Sequence, residues 1–153
     1  GSLGGSSAFW MAWHHPDFFS RVAAFSGSFW MENPSMMELV AHSVFKPGLR
    51  MYLDAGDTSA EGAVEWEADN LNFVAALHNS LCKAGYGSSS TIGQSIDAAH
   101  DTWDDKAPIP KEPLCMIVGQ GHRHREEDWA RRMGWALRFL YQDVERTASS
   151  VVQ

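Results

Sequence analysis

The 153-residue sequence has no long apolar stretch, and nothing in it approaches the roughly 18 consecutive apolar residues that a membrane-spanning helix needs. Basic residues are scarce. Twelve Lys and Arg stand against 19 Asp and Glu, for a net charge of −7, and no basic stripe gathers them. That balance argues against nucleic acid or an anionic membrane as partner. Cysteine is scarcer still: Cys82 falls in a predicted helix and Cys115 in a predicted strand. They read as buried free thiols, since nothing in their spacing calls for a disulfide. Internal repeats are absent. His14-His15 could suggest a metal pair, but adjacent helical residues point in different directions and no carboxylate or cysteine cluster completes a site, so no metal is expected. No signal sequence is visible, which means little for a chain that begins without Met, since any targeting segment would lie upstream.

What is present suits a soluble globular domain or part of one: 44% of residues are apolar and 20% charged. Apolar patterning predicts a helix over about 5–15, a strand over 21–26, a helix over 35–43 and a strand over 49–54. A long helix over 63–84, a strand over 114–118 and a helix over 126–142 follow. Pro16 ends the first helix, Pro34-Ser35 opens the second, and Gly85 stands where a C′ glycine belongs after the long one. Strands alternating with helices point to an α/β fold with a parallel sheet. In the long helix Trp66, Phe73, Val74, Leu77 and Leu81 are expected to face the core, with Glu65, Glu67, Asp69 and Asn72 outside. In the last, Trp129, Met133, Leu137 and Leu140 make the expected core stripe. Residues 87–112 carry Gly-Ser and Asp clusters and three nearby prolines, which is loop chemistry. They read as an insertion within reach of a site, where Trp103 and His100 could face a substrate.

The chemistry-bearing text begins at residue 1. Gly1-Ser2-Leu3-Gly4-Gly5 reads as a G-x-S-x-G nucleophile elbow lacking its leading glycine. Such an elbow sets a serine on a tight strand-to-helix turn, with small neighbours that let other chains approach. A serine hydroxyl is a poor nucleophile at neutral pH. It needs a base within hydrogen-bond reach and a third group to fix the tautomer of that base. Acidic residues at 54–61 and His122 and His124 each lie just past a predicted strand, where a rigid sheet can position them.

The elbow is followed by a short apolar helix and the turn His15-Pro16-Asp17-Phe18-Phe19. Strand Val22–Phe25 and Ser26-Gly27-Ser28-Phe29-Trp30 come next. Further on stand Tyr52-Leu53-Asp54-Ala55-Gly56-Asp57, the loop Gly121–Trp129 and a closing Ala-Leu-Arg-Phe-Leu helix at 136–140. In this order the segments resemble the enterochelin-esterase/feruloyl-esterase-like (putative esterase, or esterase D) branch of the α/β-hydrolases, over nearly the whole chain except about 87–112. The resemblance implies a mostly parallel sheet flanked by helices, seen as the C-terminal half of one catalytic domain whose first strands are missing from this chain.

It also implies roles, in the chain order serine, acid, histidine. Ser2 is the expected nucleophile. His124 is the expected base, because the family histidine stands five residues before a tryptophan, often with an acid two residues on, as His124, Glu126 and Trp129 do. His122 is then a substrate contact or a support, and the alternative base. Asp57 is the first choice for the acid, then Glu61, then Asp54, whose place inside a strand suits local pairing. The backbone N–H of Leu3 would serve an oxyanion hole at the helix N-terminus, with a second donor upstream. Ser28 and Trp30 are expected to line the cleft for a small-molecule ester. No cofactor is required. Ester hydrolysis through an acyl-serine is the implied reaction; acyl transfer by the same triad, or a non-catalytic domain that kept the fold, are its rivals. The 153 residues alone are expected to be inactive.

Overall fold

The computed structural model describes residues 1–30, 35–58, 69–88 and 108–143, together with the backbone of 96–97. Helix α1 (Ser2–His14) leads to strand β1 (Arg21–Phe25), helix α2 (Met36–Ala41) and strand β2 (Arg50–Gly56). Helix α3 (Leu71–Lys83), the two-residue strand β3 (Ile96–Asp97), strand β4 (Leu114–Gln120) and helix α4 (Glu126–Leu140) follow. The four strands pair in the order β1-β2-β4-β3, all parallel. Val22 pairs with Met51, and Leu53 pairs with Met116.

Side chains alternate across the sheet, so each central strand feeds two cores. Val22, Ala24, Met51, Leu53, Leu114 and Met116 meet the helices α1, α2 and α3 on one face. Phe25, Tyr52, Cys115 and Ile117 meet Trp135, Phe139 and Leu140 of α4 on the other. A strand covered on both faces explains why β2 is buried from Met51 to Gly56. Both cysteines are free thiols, as expected. Cys115 is buried in the sheet, which pushes its thiol up to about 12, whereas Cys82 is only half-buried.

Helix ends follow local chemistry. Ser35 caps α2 in a reciprocal box with Glu38. After α3, Gly85 at φ +91° lets its own N–H reach Cys82 O while the Tyr86 N–H reaches Leu81 O, and buried Tyr86 closes the turn.

Two expected core stripes shift. In α4 the buried face is Asp128, Arg132, Trp135, Ala136, Phe139 and Leu140, while Met133 and Leu137 are 43% and 51% exposed. The face turned to the sheet includes an arginine, so a purely apolar reading of the stripe is off by about one residue. In α3, Val74, Leu77 and Leu81 are buried as expected, but Phe73 is 40% exposed and lies 6.3 Å from the ring of Trp30. Among the described residues no helix is long and apolar enough to cross a membrane.

Candidate active site

Ser2 is the first residue of α1 and holds φ at +54°, a left-handed conformation rare outside glycine. The sharp turn depends on what surrounds it. A Cβ on Gly1 would stand 2.7 Å from the indole of Trp129, so the position before the serine has no room for a side chain. The glycine needed for close approach on the helix side is Gly5, not Gly4. A Cβ on Gly5 would meet Phe25 O at 3.2 Å, whereas Gly4 has nothing within 4 Å. Ser2 Oγ lies 3.4 Å from Ser28 Oγ, which also accepts from the Asn70 side-chain amide at 3.3 Å. Leu3 follows within the first helical turn, where backbone N–H groups have no partner four residues back.

His124 sits between β4 and α4. Its Nδ1 is 3.1 Å from Asp69 Oδ1, and its ring meets Trp129 edge-on at 5.2 Å. A carboxylate only accepts, so Nδ1 carries the proton of this bond and Nε2 is left as the acceptor. Asp69 lies just ahead of α3, and its own N–H is tied to Thr58 O past the end of β2. Its Oδ1 also accepts the Asn70 N–H at 2.7 Å. Its Oδ2 accepts the Gly56 N–H and, at 2.8 Å, the Ser26 hydroxyl. Burial alone pushes this carboxyl up, but the bonds from His124, Gly56, Asn70 and Ser26 outweigh it and hold the group below the usual carboxylate range.

Asp57, the expected partner of the histidine, is elsewhere engaged. It is exposed, and its Oδ1 accepts the Gly121 N–H at 2.6 Å. It therefore fastens the loop that carries His124 without touching the ring. Asp54 is buried and pairs with Arg132, at 3.0 Å to Nε and 3.1 Å to Nη2. Local pairing is what its place within a strand suggested. Glu61, Trp66, His100 and Trp103 lie outside the described residues.

His122 is the residue expected as a substrate contact or a support. It is fully buried, and its Nδ1 takes a hydrogen bond of 2.8 Å from Arg132 Nη1. Burial and then the Arg132 charge hold its pKa below the ordinary imidazole value. Of the two residues expected to line the cleft, Ser28 is buried against Ser2, and Trp30 is 53% exposed beside Phe73. His14 stacks on Trp10 and bonds its carbonyl, and no group of three or more metal-ligating side chains occurs among the described residues.

Beneath the site runs a polar core that apolar patterning does not reveal. Arg132 reaches Asp54, His122 and Ser26, and Ser26 accepts from Trp129 Nε1 at 2.9 Å. Trp129 thus touches the neighbour of Ser2, the ring of His124 and the hydroxyl that bonds Asp69.

Comparison with known proteins bears on the family and the fold. The family model described as Putative esterase matches residues 1–101. A Bacillus subtilis (strain 168) protein, Uncharacterized protein YbbA, is 23% identical over 141 residues, which is 92% of this chain and 46% of that protein. The enterobactin esterase FES from Shigella flexneri, solved in the presence of enterobactin, superposes with a TM-score of 0.61 at 23% identity. The match covers 92% of this chain and 29% of FES. The same enzyme solved with 2,3-di-hydroxy-N-benzoyl-glycine gives 0.60 at 22% identity, over 92% of this chain and 30% of FES. At that identity the likeness is one of fold, an α/β-hydrolase-like sheet with flanking helices. The chain spans less than half the length of these relatives.

Proposed function

The chain belongs to the Putative esterase family, and from that premise we propose that it supplies the triad of a serine carboxylic-ester hydrolase, with Ser2 as nucleophile, His124 as base and Asp69 as orienting carboxylate. The observation that carries the reading is the hydrogen bond between His124 Nδ1 and Asp69 Oδ1, in a cluster whose other end is a serine on a left-handed turn at a helix N-terminus.

The chemistry follows from those groups. Ser2 Oγ attacks the acyl carbon while His124 Nε2 takes its proton. The carbonyl oxygen becomes an oxyanion, stabilised by the Leu3 N–H and the positive end of α1. His124 returns the proton to the departing alcohol, leaving an acyl-serine, and water then repeats the sequence to release the acid. Asp69 stays ionised throughout and holds the imidazole in the tautomer that can accept at Nε2. Ser28 holds the Ser2 hydroxyl in reach at rest, and the exposed pair Trp30 and Phe73 borders the approach. The substrate class is a small-molecule carboxylic ester, and no cofactor takes part.

Fluorophosphonate labelling of the natural full-length protein tests the reading. One adduct per chain, mapped to the peptide containing Ser2 and absent from Ser2→Ala, is expected. A protein that stays unlabelled at Ser2 overturns it.

A further inference from the structure

We propose that Ser26 is a positioning residue for this reaction. Its hydroxyl is forced by two obligate donors to give its proton to Asp69, and so fixes the carboxylate that orients His124. The inference rests on the triad reading above.

Three groups surround the buried Ser26 Oγ: Trp129 Nε1 at 2.9 Å, Arg132 Nη2 at 3.2 Å and Asp69 Oδ2 at 2.8 Å. An indole N–H and a guanidinium can only donate. They occupy both lone pairs of the hydroxyl, and its single proton has one acceptor left, the Asp69 carboxylate. The backbone leaves no slack either. The Ser26 N–H bonds Asp54 through both its backbone oxygen, at 2.9 Å, and Oδ1, at 3.1 Å, while the Ser26 carbonyl accepts from Asn70 Nδ2 at 3.0 Å. These contacts hold Ser26 at φ +46°, a conformation that a non-glycine residue keeps only when its surroundings impose it.

The two carboxylate oxygens therefore differ. Oδ2 is clamped by Ser26 and the Gly56 N–H, which leaves Oδ1 facing His124. The titratable and charged groups facing Asp69 are the His124 ring from the loop before α4 and the Arg132 guanidinium from α4, whose Nη2 is 3.9 Å from Oδ2. Arg132 is itself committed to Asp54 of β2 and to His122. The hydroxyl is thus the short link between the buried arginine and the equally buried carboxylate that bonds His124. Apolar patterning gives no sign of it, since Ser26 reads simply as the end of a strand.

A double-mutant cycle on kcat for a nitrophenyl ester, in the natural full-length protein, tests the inference. Ser26→Gly removes the hydroxyl and relieves the backbone, and Ser26→Ala removes it alone. Each should lower kcat about tenfold or more with KM little changed. In the Asp69→Asn background, adding Ser26→Gly should change kcat by less than about twofold, because the group through which Ser26 acts is already lost. If the glycine variant does not fold, Ser26→Cys, with a weaker donor of similar shape, replaces it in the same cycle. Equal losses in both backgrounds, or an unchanged kcat, overturn the inference while Ser2→Ala stays inactive. Full turnover in Ser2→Ala overturns the hydrolase reading, and the inference with it.

Discussion

His124 Nδ1 lies 3.1 Å from Asp69 Oδ1, whereas the carboxylate of Asp57 is spent on the Gly121 N–H at 2.6 Å. Two acidic residues near the end of β2 thus have different work: one holds the ring, the other the loop. Asp69→Asn can leave the imidazole in the wrong tautomer, a change that costs on the order of 10⁴ in kcat in a serine triad. Asp57→Asn should cost about tenfold or less, through a looser loop. Steady-state kinetics of the two variants decides it, and the reverse ranking would return the acid to Asp57.

His124 and His122 should separate cleanly in the same assay. His124→Ala removes the group bonded to Asp69 and should lower kcat by roughly three to four orders of magnitude. His122 is buried beside Arg132, so His122→Asn, which keeps an acceptor near Nδ1, should act mainly on stability. Near-normal turnover in His124→Ala would show that the base has been misplaced.

His122 also sets a pH dependence of folding. Burial, and then the charge of Arg132, hold its folded pKa below 6.5. Below that value the unfolded chain binds a proton that the folded chain refuses, so stability falls as pH drops. Asp54, raised by burial although Arg132 pulls it back, works in the opposite direction at lower pH. Subtracting the His122→Asn curve isolates the histidine: the wild type should lose more stability than the variant between about pH 7 and pH 5.5. Parallel curves would mean that His122 takes up its proton equally in the folded and the unfolded chain.

The buried pair of Arg132 and Asp54 gives a prediction of size. Arg132→Met leaves a carboxylate without its cation in the core, a change that typically costs about 3–5 kcal/mol. The double variant with Asp54→Asn should recover part of that loss. Urea unfolding measures both, and additive losses would deny that the two residues act as a pair.

The elbow glycines should respond in opposite ways. Gly4→Ala enters open space in a helix and should stabilise by about 0.5–1 kcal/mol. Gly5→Ala presses on the β1 backbone at Phe25 O, 3.2 Å away, and should cost about 1–3 kcal/mol. Equal effects in thermal unfolding would contradict the packing of α1 against β1.

Much of this was legible in the sequence, and the failures share a cause. The apolar run Val22–Phe25, the strand expected over 49–54, and the helix-end residues Ser35 and Gly85 are local signals that the structure bears out. Asp69 was hidden because apolar spacing from Trp66 to Leu81 is continuous with a longer helix, which made Asp69 one of its outer positions. The helix in fact starts at Leu71 with Asn70 as its cap residue. Asp-Asn ahead of an apolar run is a start signal, but that spacing runs straight across it; in the fold the Asn70 amide bonds Ser26 O and Ser28 Oγ. Arg132 misled the reading of α4 in the same way: a charge among apolar neighbours reads as outside until its buried partners are known. Such partners are distant in sequence, and no spacing rule reaches them.

The central claim is that Ser2 carries an acyl group during turnover. It is tested most directly by mixing the natural full-length protein with excess nitrophenyl ester, quenching in acid and weighing its peptides. The account predicts a burst of nitrophenol approaching one per chain, with the mass of the acyl group added to the peptide containing Ser2. Turnover with no adduct at Ser2, or equal turnover by Ser2→Ala, would contradict it.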